Sequence, residues 1–134
     1  MPIGLIVPDA SAWVELLRRT GSSTDLRLLE LIEQPTTLVT VDPVVMEVLA
    51  GARSTSEQSR LTALLGRCRY AAVESPHDFV RAAEVYRVCR AAGHGVRSQL
   101  DCLIAAIAMR IGAAVLHADT DFDVIARHAP LRIA

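Results

Sequence analysis

The sequence predicts a single α/β domain in which helices flank a mostly parallel central sheet. The chain has 134 residues, of which 51% are hydrophobic and 22% charged, and its short apolar segments alternate with amphipathic ones. A chain of this length and composition folds as one compact domain, so we assign residues 1–134 to it. Strands that alternate with helices pair in parallel, because each helix carries the chain back to the same end of the sheet.

The amino-terminal half predicts two strands and three helices. Apolar or β-branched runs indicate strands covered on both faces, and apolar residues at helical spacing indicate helices. Ser11 is a preferred N-cap, Pro35 ends a helix, and Asp42 with Pro43 is typical of an N-cap followed by the first helical residue. The predicted elements are a strand over 3–7, a helix from Ser11 to before Gly21, a helix over 24–34, a strand over 36–41 and a helix over 44–50.

The carboxyl-terminal half predicts four helices and three strands by the same signals. Ser75 and Asp78 have the spacing of a capping box, Ser98 is a second N-cap, and Gly112 is a typical helix stop. The predicted elements are a helix over 56–66, a strand over 69–74, a helix from Ser75 to about 92, a helix from Ser98 to Arg110, a strand over 113–117, a helix over 123–127 and an edge strand over 131–133.

Composition excludes several classes of function. All 14 basic residues are arginine, which rules out sites that need a lysine, such as a Walker-type phosphate loop or a Schiff base. The net charge of −1 gives no overall basic field for nucleic acid. Three widely spaced cysteines fit neither a disulfide framework nor a zinc ribbon, and we find no signal peptide or membrane span. We therefore expect a cytoplasmic protein.

Acidic residues follow the predicted strands. Asp9 comes after the first strand, Asp119 and Asp121 come after the fourth, and Glu47 is one turn into the helix after the second. Ligand sites of parallel sheets form beyond the carboxyl ends of the strands. Asp101 lies in the first turn of the Ser98 helix among apolar residues, where an unsatisfied carboxylate is costly. We expect these acids to converge at one sheet edge.

Each acid also has a simpler interpretation. Asp9 could be a turn residue or N-cap, Asp101 could complete a capping box with Ser98, and Glu47 could be an exposed helical residue. The aspartates at 119, 121 and 123 are spaced as in a calcium loop, but Val124 and Pro130 stand where an EF-hand requires glycine and glutamate. A solvated loop with a helix cap stays open for Asp121.

Converging carboxylates repel one another by several kcal/mol unless cations neutralise them. An all-oxygen ligand set favours Mg²⁺, with Mn²⁺ as the alternative, over Zn²⁺. Such an ion activates water and stabilises the leaving oxygen of a phosphodiester. The acids therefore indicate metal-dependent nuclease chemistry.

Four segments together resemble PIN-domain ribonucleases, and most of all the VapC toxins of type II toxin–antitoxin modules. They are IVPDASAWVELL from Ile6, VVMEVLAGA from Val44, VRSQLDCLIAA from Val96 and HADTDFDVIA from His117. The resemblance implies a Mg²⁺-dependent endoribonuclease with four catalytic acids, an additional metal ligand at Asp121 and a nearby hydroxyl at Ser11. The four acids are Asp9, Glu47, Asp101 and Asp119.

The same resemblance implies a homodimer and a VapB-like antitoxin whose basic carboxyl-terminal segment covers the acidic pocket. Arg97, in the loop before Asp101, is our candidate for RNA contact, because guanidinium groups suit phosphates. Pro8 and Ala10 depart from the family pattern, and we expect Pro8 to end the first strand one residue early. The alternative hypothesis is a catalytically weak or inactive PIN-fold module that binds RNA or protein.

Overall fold

The computed structural model describes residues 4–134, so Ile3, the first residue of the predicted 3–7 strand, lies outside the described residues. Short strands alternate with helices, as the sequence predicts. The strands are β1 (Ile6–Pro8), β2 (Val39–Val41), β3 (Arg69–Ala71) and β4 (Ala114–Leu116). The helices are α1 (Ala10–Leu17), α2 (Ser23–Ile32), α3 (Asp42–Ala50), α4 (Thr55–Leu65), α5 (His77–Ala91), α6 (Gln99–Ile111) and α7 (Thr120–His128).

The strands form one parallel layer. β1 pairs with β4, β2 pairs with β3, and a parallel bridge between Ile6 and Leu38 joins the two pairs in the order β3-β2-β1-β4. The predicted edge strand over 131–133 is reduced to one bridge, between Ile133 and Val115. The parallel α/β prediction is confirmed, and all four carboxyl ends point to one edge.

Apolar side chains from both faces of the sheet form one core. Its largest fully buried members include Trp13, Leu28, Ile104 and Phe122, and α6 contributes more buried residues than any other described helix. Burying a side chain of this size stabilises the fold by about 1.5–3 kcal/mol. The core thus fixes α6, which bears Asp101 in its first turn. Among the described helices, none has the length and apolar character needed to cross a bilayer.

β2 and β3 are shorter than predicted, because a 3₁₀ turn replaces the start of β2 and carboxylate side chains bind the backbone amides after β3. A 3₁₀ turn over Pro35–Thr37 replaces the start of the predicted 36–41 strand. β3 stops at Ala71 because the next amide groups bind carboxylates: Val73 N donates to Asp42 Oδ2 at 2.7 Å and Glu74 N donates to Asp78 Oδ2 at 2.7 Å.

Several predicted helix starts differ from the structure. Val41, rather than Asp42, is the N-cap of α3, and Asp42 is its first helical residue. Asp9, rather than Ser11, is the N-cap of α1, because its side chain accepts from Ser11 N. The predicted Ser75–Asp78 capping box does not form, since Pro76 occupies the N-cap without a side-chain bond. α7 begins at Thr120 instead of 123 because Asp119 caps it.

Pro8 does not shorten β1, contrary to our expectation. It lies opposite Leu116 in the ladder with β4, and Asp9 N donates to Leu116 O at 2.9 Å. Along a parallel strand, alternate residues bond to the same neighbour, so it is Asp9 and not Pro8 that supplies the donor towards β4. The strand therefore extends to the first acid.

A buried ion pair joins α5 to the end of α6. Asp78 is completely buried, and Arg110 donates to it from Nε at 3.0 Å and from Nη2 at 3.0 Å. Burial opposes ionisation of Asp78, but the hydrogen bonds from Arg110 and the Glu74 amide hold its pKa below the ordinary value. Arg110 also donates to Ala72 O at 2.8 Å, which holds the segment after β3.

Replacing Arg110 with methionine should destabilise the protein by about 3–5 kcal/mol, because Asp78 stays buried without its cationic partner. The matched control is Arg81→Met, which removes an exposed arginine from its pair with Glu84 and should change stability by less than about 1 kcal/mol. Urea unfolding of both variants measures the difference. Equal losses in the two variants would contradict this account of the pair.

Candidate active site

The first two acids are neighbours because their strands are neighbours. Asp9 follows β1 and Asp119 lies three residues after β4, and these strands pair in register up to Pro8 and Leu116. Glu47 comes from α3, directly after β2, and Asp101 from the first turn of α6. The convergence predicted from the sequence therefore follows from the parallel topology.

The acids form two groups that share Asp101. In the inner group, Asp9, Glu47 and Asp101 each offer a carboxylate oxygen within 4.8 Å of the others. In the outer group, Asp101, Asp119 and Asp121 do the same. Asp9 and Asp101 are each only 3% exposed, whereas the side chain of Asp119 is 29% exposed. The inner group is therefore buried and the outer group reaches the surface, and we call the whole acidic cluster the pit.

Ser11 connects the turns that follow β1 and β4. Its hydroxyl donates to Asp9 Oδ2 at 2.8 Å and accepts from Ala118 N at 3.0 Å, and its own N–H donates to Asp9 Oδ2 at 3.1 Å. These bonds occupy one oxygen of Asp9 and fix the carboxylate. The other oxygen, Oδ1, is buried and has no hydrogen-bond partner among residues 4–134.

Three carboxylate oxygens of the inner group are buried without a hydrogen-bond partner among residues 4–134. They are Asp9 Oδ1, Glu47 Oε1 and Asp101 Oδ2. A buried acceptor left unsatisfied costs about 1–3 kcal/mol, and more if it is charged. Hard divalent cations bind several carboxylate oxygens. The inner group therefore fits such an ion, and this chain can hold one there.

Burial and mutual repulsion oppose ionisation of the inner acids. Burial, followed by the charges of Asp9 and Asp119, raises the pKa of Asp101 to about 8. Burial and the same two charges raise the pKa of Glu47 to about 6. Burial also raises the pKa of Asp9, against the lowering effect of the hydrogen bonds from Ser11. Strongly shifted carboxyls that face one another are typical of functional sites.

The outer group is bound by the loop before α6. Asp119 Oδ1 accepts from Asp121 N at 3.0 Å, and Asp121 Oδ2 accepts from the backbone N of Arg97 at 3.1 Å. The Arg97 guanidinium reaches both carboxylates, with Nη2 3.8 Å from Asp119 Oδ1 and Nε 3.7 Å from Asp121 Oδ1. Its side chain is 79% exposed, so it stands at the rim of the pit.

All predicted site residues meet in this one place. The structure brings together the four candidate catalytic acids, Asp121, Ser11 and Arg97. Asp123 is directed away, with Oδ1 3.2 Å from His117 Nε2, so the triplet of aspartates does not act as a loop of three ligands. Asp9 is the N-cap of α1, and Asp101 lies in the first turn of α6. Both residues therefore hold a helix-start position and also belong to the site.

His117 and Thr24 hold the turn after β4, and the sequence did not indicate this role for either residue. Asp119 N donates to His117 Nδ1 at 3.0 Å, and Thr24 Oγ1 donates to His117 O at 2.9 Å. The side chain of His117 is nearly buried, and its bond to the Asp119 amide helps to hold Asp119 in place. Only the two-residue spacing of His117 and Asp119 was a signal in the sequence, and nothing there indicated Thr24.

Comparison with known proteins agrees with this fold. A PIN-domain family model matches residues 6–128. The chain belongs to the PIN-domain family. This PIN domain is 42% identical over 131 residues to a VapC ribonuclease from Mycobacterium bovis and to ribonuclease VapC11 from Mycobacterium tuberculosis, covering 97% of this chain and 98% of each relative. The resemblance carried by the four sequence segments is confirmed.

Solved structures share the fold of this PIN domain at low sequence identity. A chain of DNA-bound VapBC from Salmonella typhimurium has a TM-score of 0.74 at 14% identity, with 98% of both chains covered. A chain of VapBC2 from Rickettsia felis, bound to a promoter DNA fragment, has a TM-score of 0.75 at 18% identity, with 97% of both chains covered.

The metal-free PIN domain should lose thermal stability as the pH rises from about 4 to about 8. Asp101 and Glu47 keep protons in the folded state that the unfolded chain releases near its ordinary pKa values, so folding takes up protons in this range. Thermal melts in chelator across this pH range measure the slope. Asp101→Asn should remove most of it and Glu33→Gln, at an exposed site, should not; an unchanged slope in Asp101→Asn would contradict the assignment.

Ser11→Ala should weaken divalent-cation binding by about 10- to 100-fold, because Asp9 loses the hydroxyl that orients it. Calorimetric titration with Mg²⁺ measures the affinity. Ser59→Ala, on the exposed face of α4, is the matched control and should bind like the wild type. Equal affinities in all three proteins would show that Ser11 does not position Asp9.

Proposed function

We propose that this PIN domain is the toxin of a type II toxin–antitoxin module and cleaves RNA phosphodiester bonds with Mg²⁺, or Mn²⁺ in its place. The observation that carries the proposal is the inner group: Asp9, Glu47 and Asp101 each offer a carboxylate oxygen within 4.8 Å of the others, and each has a buried oxygen without a hydrogen-bond partner among the described residues. The 42% identity to VapC ribonucleases over 97% of the chain supports RNA as the substrate.

The inner carboxylates of Asp9, Glu47 and Asp101 are the residues that would hold the ion, and Asp119 and Asp121 lie beside them. A bound divalent cation supplies an activated water and stabilises negative charge on the leaving oxygen of an in-line displacement. Burial, together with the charges of neighbouring acids, raises the pKa of Asp101 to about 8 and that of Glu47 to about 6, and a bound divalent cation would lower both pKa values.

Each remaining residue has a separate task. Ser11 holds Oδ2 of Asp9, and the buried Oδ1 has no hydrogen-bond partner among the described residues. Asp119 stays in place because its side chain caps α7 and its N–H is bound to His117. Arg97, exposed at the rim, can reach a phosphate of the RNA beside the scissile bond.

The partners we propose are a second copy of this chain and a VapB-like antitoxin. The pit is acidic, and a basic carboxyl-terminal segment of the antitoxin would bind there by charge and block access to RNA. The solved VapBC complexes share this fold, which supports an antitoxin partner. We propose one PIN domain over residues 1–134, acting in the cytoplasm, where its cysteines stay reduced.

Asp9→Asn and Asp101→Asn should each lower RNA cleavage by more than about 10²-fold, because ion binding contributes several kcal/mol to the reaction. Purified protein is incubated with total RNA and Mg²⁺, and RNA ends are mapped in cells after induction. Glu33→Gln, an exposed carboxylate outside the pit, is the control and should cleave normally.

Cleavage that persists in chelator or in both aspartate variants would overturn the metal mechanism. A wild-type protein that binds RNA but neither cuts it nor arrests growth would favour the non-catalytic PIN module instead.

A further inference from the structure

The two carboxylate groups differ in how they are satisfied. Three oxygens of the inner group are unpartnered among the described residues. In the outer group, Asp119 Oδ1 already accepts the Asp121 amide, and Asp121 Oδ2 accepts the Arg97 amide. No cationic side chain pairs with the inner group among the described residues, whereas backbone amides and the Arg97 guanidinium already contact the carboxylates of Asp119 and Asp121.

Arg97 supplies the positive charge of the outer group. Its Nη2 and Nε lie 3.8 Å and 3.7 Å from oxygens of Asp119 and Asp121. Within residues 4–134, no other arginine or histidine pairs with these two carboxylates. The 3.1 Å bond from the Arg97 amide to Asp121 Oδ2 fixes the backbone of Arg97 beside the outer group.

The position of this guanidinium is unfavourable for a second divalent cation. Such an ion would share the oxygens of Asp119 and Asp121 with a group of the same sign a few ångströms away. The inner group has no cationic side chain of this kind in the described part of the chain. The asymmetry between the groups thus depends on one residue.

We propose that Arg97 takes the place of a second metal ion, so that this site binds a single divalent cation, in the inner group. This inference rests on the proposed metal-dependent function and specifies how its site is charged. In the RNA-free protein the guanidinium offsets the charge of Asp119 and Asp121, and the inner carboxylates alone respond to the metal concentration.

The experiment counts bound Mn²⁺ per chain by electron paramagnetic resonance during titration of the full-length protein at pH 8. The wild type should bind one ion. Arg97→Gln should bind two, because the outer carboxylates lose their cation, and Arg97→Lys should bind one, because the charge is kept. Arg67→Gln is the matched control: Arg67 is exposed and precedes β3, at the opposite edge of the sheet, and should leave one ion bound.

Two ions in the wild type, or one ion in Arg97→Gln, would overturn the proposal. Thermal melts of each variant confirm that the count refers to folded protein. Ion binding is measured without RNA, so its outcome is independent of cleavage. A count that follows Arg97 in a protein that does not cut RNA would leave this inference standing and refute only the proposed activity.

Discussion

Like charges held together by parallel strand pairing are the constraint on which the rest of this structure depends. The ladder between β1 and β4 places Asp9 and Asp119 at one sheet edge, and the chain cannot separate them without breaking the bond from Asp9 N to Leu116 O. Ser11 tightens this arrangement by bridging the two turns. The repulsion between the carboxylates must therefore be relieved by protonation or by a cation, because the paired strands hold the acids close together.

The core compensates for a site that is unfavourable by itself. Asp101 begins a helix whose later residues, including Ile104 and Ile107, are fully buried. Apolar burial along that helix fixes a carboxyl whose pKa is raised to about 8. Proteins commonly break a local rule at a functional site and offset it elsewhere. Here the broken rule is the burial of unpartnered carboxylate oxygens, and the offset is the packing of α6.

The sequence was informative where one local signal decides the outcome. Acids that follow apolar runs lie at strand ends, so the edge that gathers Asp9 and Asp119 could be predicted from parallel topology alone. The N-cap at Ser98 was also predicted, because serine favours this position. In the structure its hydroxyl accepts a hydrogen bond from the Asp101 amide. Glu47 was predicted as a site residue from its place one turn into the helix after the second strand. Asp101 was predicted from its place among apolar residues in the first turn of the Ser98 helix.

Contacts between distant parts of the chain decided what the sequence could not show. The early end of β3 depends on Asp42 and Asp78, whose carboxylates capture amides that a strand would use. Thr24 binds the carbonyl of His117 across 93 positions, and the division into inner and outer groups depends on side-chain directions. No periodicity or spacing encodes such contacts.

We propose above all that the inner carboxylates share a divalent cation. A crystal soaked in Mn²⁺ tests it directly through anomalous scattering from the ion. We expect a peak at coordination distance from oxygens of Asp9, Glu47 and Asp101. A fully soaked crystal with no peak among these three residues, or with the ion bound only elsewhere, would contradict the account.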